Sequence, residues 1–527
     1  MKKISWLELK NKWNEFRLSK NHKYLPEASL VWWKESTAMF NIAWMQQIIP
    51  YLSGKEHHLG TRLFNIQKCI RTVDIDEVGD ASHLTFFEMM WNRSLWDYFK
   101  KDSIDWSREF LVDVLWFDPK KLAATVFEWN QEVSKDNETI WYRKKVWLSD
   151  DKICAMSAKD NRRSPGPVWP CWPCSEIYYR VGKAKYPPKD SNPKTDENNR
   201  LEVWNNVFME YYRDEKWVLT KLAKQNVDTW MWFERMCKVL QGKESVYDTD
   251  VFDYILKEIE KSLKQKYTSN EKRFRIVADH TRTAFFMIKD GINPSNEGRW
   301  YVLRRLIRRM YYNLISLKKL SESDLKILFT NIFSSISSNF DLKIDIQNIV
   351  ETIHKECIQF QKTIDNWQKM LNEILGKNAK TKLILWKDAF MLYDTFGFPL
   401  ELTREIAKEN WFQIDEDAFQ QEMQIQQDRS RKWSKDKFTI DVDRGKYVVG
   451  FPATKFLWYD DLSLGKSKLL KDFNVNWQRI LIFDSSPFYA ESWWQSGDSW
   501  TIILDSWEKL EVLDVKKYEW VFLHFAR

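Results

Sequence analysis

Glycine is what this 527-residue sequence is shortest of: it holds 14, where ordinary usage of about 7% would give roughly 37. Tight turns rely on glycine because they need positive φ, which a Cβ resists. A chain this long and this poor in glycine has had something put in its place. Cysteine is scarce as well. The six thiols (Cys69, Cys154, Cys171, Cys174, Cys237, Cys357) are scattered apart from the pair in Pro170-Cys-Trp-Pro-Cys174, and a zinc ribbon would want a second such pair. We read that pair as a proline-rich turn over two small thiols and expect no metal. There is no uninterrupted run of about 18 apolar residues, and the N-terminus, MKKISWLELKNKWNEF, is charged and amphipathic rather than built like a signal peptide. These absences make a cytoplasmic chain with no membrane partner the expectation.

What is present in excess is tryptophan, 30 residues of it. Several stand in turn-like settings that suit glycine and not an indole: Val168-Trp169-Pro170, Glu409-Asn410-Trp411-Phe412 and Ser492-Trp493-Trp494-Gln495. Glycine has been exchanged for tryptophan. The 44% hydrophobic content supplies ordinary cores for about three domains. Lys+Arg exceed Asp+Glu by 7, which suits a polyanionic partner without requiring one.

Pattern divides the chain into three. Residues 1–245 mix amphipathic helices, such as 5–19, with strand-like runs such as Leu84–Met90 and Val203–Met209, an α+β mixture interrupted by a polar surface loop, Lys183–Arg200. Residues 246–436 turn helical, with three- and four-residue apolar spacing in Val251–Leu263, Ile276–Ile288, Leu325–Ile336 and Ile344–Leu371. Residues 437–527 show short alternating runs, Tyr447–Val449, Arg479–Phe483, Thr501–Leu504 and Trp520–His524, predicting a small β domain.

The chemistry gathers in a few segments. Asn226-Val-Asp-Thr-Trp-Met-Trp-Phe-Glu-Arg235 runs into a helical stretch, Met236–Gln241; as written it also reads as a buried aromatic strand end. With Trp230 and Trp232 read as glycine it becomes a glycine-rich strand entering a helix with an arginine at the junction, suited to close approach of backbone to a nucleotide and of Arg to phosphate oxygens. Upstream stand Gln67-Lys-Cys-Ile-Arg71-Thr-Val-Asp-Ile-Asp76-Glu-Val-Gly79 and His83-Leu-Thr-Phe-Phe-Glu88-Met-Met-Trp-Asn-Arg-Ser-Leu-Trp-Asp-Tyr-Phe99. Further along come Pro170-Cys-Trp-Pro-Cys-Ser-Glu176-Ile, Glu202-Val-Trp-Asn205-Asn-Val207, Ala278-Asp-His-Thr-Arg282, Pro294-Ser-Asn296-Glu-Gly-Arg299, Leu392-Tyr-Asp394-Thr-Phe-Gly-Phe-Pro399 and Pro487-Phe-Tyr-Ala-Glu-Ser-Trp-Trp-Gln495. In order and content these segments resemble the alanyl-tRNA synthetases, of the class II aminoacyl-tRNA synthetases, over essentially the whole chain.

That resemblance implies an α+β chain: a class II antiparallel-sheet aminoacylation domain over 1–245, a helical tRNA-recognition domain over 246–436, and a small β-barrel-like domain over 437–527 that precedes an editing domain. It implies activation of alanine by ATP and Mg²⁺ and transfer to tRNA(Ala). Two antiparallel strands would hold Arg71 at the α-phosphate with Glu88 and the intervening loop (Asp76, His83) near the nucleotide; Arg235 would meet phosphate, Asp228 the alanine ammonium, and Asn205 and Val207 a small pocket. Asp228 also reads as a buried structural carboxylate. Asn296 and Asp394 match the family's readers of the acceptor-stem wobble pair, and Arg299, Arg304 and Arg305, with Arg308 and Arg309, would hold phosphates; alone, that basic helix reads as a solvated face.

The departures are specific. Trp91, Trp96, Trp169, Trp172, Trp230, Trp232, Trp300, Trp458, Trp493 and Trp494, with Trp44, Trp411 and Trp500, sit at family glycines, and we take UGA to be read as glycine in the source. Arg108, Arg162 and Arg163 stand where the family has aromatics, suggesting a second reassignment from Arg to Trp. The editing zinc and its histidines are not encoded; the seven histidines contain no His-x-x-x-His. We read the chain as a fragment, monomeric in this form. The rival readings are a non-catalytic tRNA-binding paralogue whose tryptophans close the ATP site, and a generic helical nucleic-acid-binding scaffold.

Overall fold

The computed structural model describes residues 3–31, 39–43, 48–52, 54–129, 133–157, 161–163, 169–182, 188, 191–196, 199–213, 219–295, 298–377, 381–384, 388, 400–409, 411–414, 451–456, 467–475, 478–486, 500–504, 506, 508–518 and 521–526. The chain forms two compact units, 1–362 and 363–527.

In the first unit, helix α1 (Trp6–Ser19) is capped by Ser5, whose hydroxyl accepts from the Glu8 amide. A mostly antiparallel sheet follows, built from β1 (Lys23–Tyr24), β2 (Arg62–Ile70), β3 (Phe86–Leu95), β4 (Leu122–Phe127), β5 (Ile153–Met156), β6 (Arg162–Arg163), β7 (Trp169–Arg180), β8 (Arg200–Arg213) and β9 (Leu219–Trp232). The order is β1-β2-β3-β9-β8-β7-β4-β5, with β6 on β7; only β1/β2 and β4/β5 pair parallel. All ten residues of β3 are buried, because helices cover one sheet face and an apolar cluster that includes Leu25, Ile48, Leu52 and Leu63 covers the other. The sequence pattern caught only the first half of this strand, since a strand buried on both faces shows no alternation.

The helices of this unit are α2 (Lys100–Arg108), α3 (Asn137–Val146), α4 (Phe233–Gln241), α5 (Asp253–Leu263), α6 (Glu271–Lys289), α7 (Gly298–Leu317), α8 (Glu322–Asn339) and the first part of α9 (Ile346–Lys377); α6, α8 and α9 extend predicted helical runs, and α7 adds to them. Helix α4 leaves β9 without a loop and ends at Gly242, which takes φ 64 and ψ 38.

The second unit holds the short strands β10 (Leu383–Ile384), β11 (Gln413–Ile414), β12 (Lys455–Phe456) and β15 (Ser485–Ser486), the helix α10 (Leu400–Glu409), and an antiparallel sheet of β13 (Leu469–Val475), β14 (Gln478–Phe483), β16 (Trp500–Ile503), β17 (Lys509–Tyr518) and β18 (Val521–Ala526) in the order β13-β14-β18-β17-β16. Strands β14, β16 and β18 coincide with predicted β runs, β13 and β17 are strands the pattern did not pick out, and Tyr447–Val449 lies outside the described residues.

Two features go against ordinary chemistry. Trp96, Trp116 and Trp411 have φ of 50°, 57° and 64°, the left-handed region that glycine favours. Trp411 is the plainest case: its N–H donates to Lys408 O and that of Phe412 to Ala407 O, the helix-ending pattern whose left-handed residue is usually glycine. Trp116 adds a position that sequence alone did not single out. Secondly, Arg17 and Arg143 are fully buried with no carboxylate at ion-pair distance among the described residues. Arg17 lies over Trp13 (4.3 Å), Phe16 (5.3 Å) and Trp204 (5.5 Å). Burial pushes both guanidinium pKa values down to about 9.

Candidate active site

Strand alternation decides which side chains meet. On β3, Phe87, Met89, Trp91 and Arg93 share one face; the register sets Met89 opposite Trp232, Trp91 opposite Trp230, and Arg93 opposite Asp228, while β8 continues two of these rows with Asn205 and Val207. Asp228, Asn205 and Val207 are thereby neighbours on a single face.

Arg71 follows β2, its amide donating to Thr85 O (3.0 Å) to close the base of the β2–β3 connection. Its guanidinium lies 5.2 Å from the Phe87 ring and 4.7 Å from Trp232. Arg235, in the first turn of α4, lies 4.2 Å from the same indole and pairs with Glu202 at 3.3 Å. Phe87 and Trp232 stack at 4.1 Å and 18°. The two arginines predicted to meet phosphate are thus brought together, and the Trp232 ring fills the space among them. Burial lowers the Arg71 pKa, with Arg235 adding to the fall while Glu202 and Asp74 oppose it. A phosphate would offset that crowding.

Asp228 is buried and faces Arg93, with Nη2–Oδ1 at 2.8 Å and Nε–Oδ1 at 3.2 Å. Asn205 donates to Glu176 Oε1 (2.9 Å), and Tyr178 donates its hydroxyl proton to Glu176 Oε2 (2.7 Å). Burial, then the Glu176 charge, raises the Tyr178 pKa. Val207 packs in an apolar cluster with Trp91, Cys174, Met209 and the part-buried Trp230.

Glu88 points the other way. It pairs with Lys10 of α1 (2.7 Å) and lies 3.7 Å from Arg282 of α6, and its amide donates to Glu234 of α4. It serves the sheet–helix interface, on the face opposite Phe87. Asp76 pairs with Arg305 of α7 at 2.8 Å, and His83 with Asp80 (2.6 Å) and Glu77 (2.9 Å). The Asp80 hydrogen bond raises the His83 pKa against burial.

On α7, Arg304 and Arg308 both engage Glu356 of α9, at 3.3 and 2.8 Å, and Arg309 is buried against Ile75 O and His280. The basic stripe is partly consumed inside the unit. Arg299 lies on the same helix, while Asn296 and Asp394 fall outside the described residues, as do the side chains of Arg162, Arg163 and Cys171. Arg108 pairs with Asp113 on an exposed surface. Sequence reading did not assign roles to Phe87, Glu176, Tyr178 or Glu202; their clue is cross-strand register, which a single strand's sequence does not carry.

An antiparallel sheet with one arginine at the root of a strand pair and another in the first turn of the helix leaving the neighbouring strand is the class II synthetase catalytic layout. The family model described as tRNA synthetases class II (A) matches residues 8–527, and the chain belongs to that family. Proteins named alanine–tRNA ligase are similar to it: that of Cytophaga hutchinsonii at 35% identity over 98% of this chain, that of Bacteroides fragilis at 36% over 99% and that of Thermotoga petrophila at 36% over 98%. The chain spans about three fifths of the length of these curated relatives, 61% of each. Among solved structures, apo histidyl-tRNA synthetase of S. aureus shares 11% identity with a TM-score of 0.27, covering 49% of this chain and 75% of that one, too slight a likeness to build on.

Proposed function

We propose that the chain carries the aminoacylation part of an alanine–tRNA ligase, joining alanine to ATP as alanyl-adenylate and then passing the alanyl group to the 3′ end of tRNA(Ala). The observation that carries this is the convergence of Arg71, Arg235 and Phe87 at one end of a sheet face whose neighbouring rows hold Asp228, Asn205 and Val207.

A carboxylate oxygen of alanine attacks the α-phosphorus and pyrophosphate leaves; a hydroxyl of the terminal adenosine of the tRNA then attacks the alanyl carbonyl and AMP leaves. Neither step needs a protein nucleophile; both need charge neutralised and reactants aligned. Arg71 and Arg235 neutralise phosphate, and the flat slot between Phe87 and Arg235 suits an adenine ring. Asp228 takes the ammonium, while Asn205 and Val207 leave room for a methyl and little more. Mg²⁺ supplies further neutralisation; it needs only one or two carboxylates besides phosphate oxygens, and Glu202, beside Arg235, fits that need. Arg299, Arg304 and Arg305 are the candidate phosphate contacts for the tRNA acceptor stem, and Asn296 and Asp394 the candidate readers of its bases. A cytoplasmic setting suits these substrates, and among the described residues no helix is long and apolar enough to cross a membrane.

The Trp232 indole within the slot favours a second reading, a tRNA-binding paralogue with a closed ATP site. Alanine-dependent ATP–pyrophosphate exchange separates the two. The Trp230→Gly/Trp232→Gly chain should exchange and the chain as written should not; a glycine-restored chain that binds tRNA(Ala) yet never exchanges would sink the ligase reading.

A further inference from the structure

We infer that Arg93 sets how well this face accepts a cationic amino group, because its guanidinium already occupies the carboxylate that such a group would use. The inference rests on Asp228 being the ammonium ligand, as proposed above.

Arg93 sits at the middle of β3 with no exposed surface, in an apolar neighbourhood: Leu63 is its register partner on β2, and Trp91, Leu95 and Val207 lie around it. Its counter-ion is directly across the β3–β9 ladder. Both Nη2 (2.8 Å) and Nε (3.2 Å) converge on Oδ1 of Asp228, while Oδ2 is buried without a hydrogen-bond partner. The carboxylate is therefore half used among the described residues, and Oδ2 is the oxygen that an ammonium taken by Asp228 would use. The buried pair is already neutral, so an ammonium on Oδ2 adds a second cation within a few ångströms of the first, with little solvent to screen them. Neither nearby carboxylate relieves this: Glu176 is held by Asn205 and Tyr178, and Glu202 by Arg235. With a neutral side chain at 93, Asp228 would lack a counter-ion until an ammonium supplied one. If Arg93 instead helped Asp228 bind the ligand by orienting it, its loss would weaken binding, so the sign of the effect decides.

The test uses the full chain carrying Trp230→Gly and Trp232→Gly, with Arg93 kept or changed to Met, Phe or Lys. Calorimetric titration with L-alaninol, which has the ammonium but not the carboxylate, reads Asp228 without any chemistry, and pyrophosphate exchange gives KM for alanine and for ATP. Arg93→Met and Arg93→Phe should tighten alaninol binding and lower KM for alanine about tenfold or more, leaving KM for ATP within about twofold. Arg93→Lys, which keeps the cation, should show less than about a third of that gain. Unchanged or weaker alaninol binding in both neutral variants overturns the inference, as does their unfolding without rescue by millimolar alaninol, which would make Arg93 the holder of Asp228. A gain in alaninol binding with no exchange in any variant upholds the inference and counts against the ligase reading alone.

Discussion

Replacing Trp232 by glycine sets two effects of comparable size against each other. In the chain as written the indole stacks on Phe87 at 4.1 Å and lies 4.2 and 4.7 Å from the guanidinium carbons of Arg235 and Arg71. A stacked aromatic pair contributes about 0.5–1.5 kcal/mol and each cation–π contact about 0.5–2 kcal/mol. Holding the ring in the slot is therefore worth about 1.5–5.5 kcal/mol, and under the proposed function ATP has to displace it. Each 1.4 kcal/mol is a tenfold change in affinity, so Trp232→Gly should tighten ATP binding by about one to four orders of magnitude. The same change empties a buried site, and by analogy with Trp→Ala it should cost the ligand-free chain about 3–5 kcal/mol. The variant should then melt below the parent without ligand and recover with ATP, since a ligand bound only by the folded state raises stability as its concentration exceeds Kd. Calorimetric titration with ATP and melting with and without millimolar ATP read the two effects separately. Equal ATP affinity in parent and variant would refute the claim that the indole occupies the nucleotide slot.

The backbone supplies an independent check. Trp411 is 86% exposed, so glycine there sacrifices little burial and removes a left-handed strain of about 1–2 kcal/mol; Trp411→Gly should raise the melting temperature, and a fall would count against the strain. Arg17→Met should stabilise the chain in urea titrations, because it removes a buried cation that has no carboxylate at ion-pair distance among the described residues. Arg282→Met should instead cost about 3–5 kcal/mol, because it strands Glu234 at 2.8 Å. His22 is buried, and burial followed by the Arg17 and Arg62 charges lowers its pKa to about 2. Its folded pKa lies below the unfolded value of about 6.5, so its contribution is present above that value and is lost as pH falls from there toward about 2. His22→Phe should flatten the decline in urea stability between pH 7 and 4.

Much of the architecture was legible because periodicity survives a damaged alphabet. Helices α5, α6, α8 and α9 and strands β14, β16 and β18 overlap the runs that apolar spacing predicted, helped in α5 and α8 by one buried and one exposed face, whereas β13 and β17 were not picked out. Central strands were less legible: β3 is buried throughout, so its length follows from neighbours on both sides. The arginines Arg71 and Arg235 were found from motif order, but Glu88 shows its limit. The resemblance implied a place near the nucleotide for Glu88, while the two-residue strand period sends it to the face opposite Phe87, toward Lys10 and away from the arginine cluster. Asp76 and Arg305 were assigned to different ligands 229 positions apart and form one ion pair.

Local and global preferences agree in a well-specified chain, and here they disagree at particular residues in a particular way. Indoles stand at left-handed turns (Trp96, Trp116, Trp411) and between the two arginines proposed to meet phosphate (Trp232), the two settings where a missing Cβ matters most. Other tryptophans are at home. Trp13 is buried, donates Nε1–H to Asn65 O and meets Trp204 edge-on at 6.0 Å, and Trp106 packs against Tyr98 at 4.6 Å. Random substitution would not sort indoles by backbone geometry, whereas one codon read in two ways would: positions written with the reassigned codon need glycine, and positions written with the ordinary one need tryptophan. The protein made in its own cell should therefore yield peptides with glycine at 96, 116, 232 and 411 and with tryptophan at 13 and 106, as read by fragment masses. Tryptophan at 411 and 116 in those peptides would refute the reassignment and leave the chain to carry its strain as written.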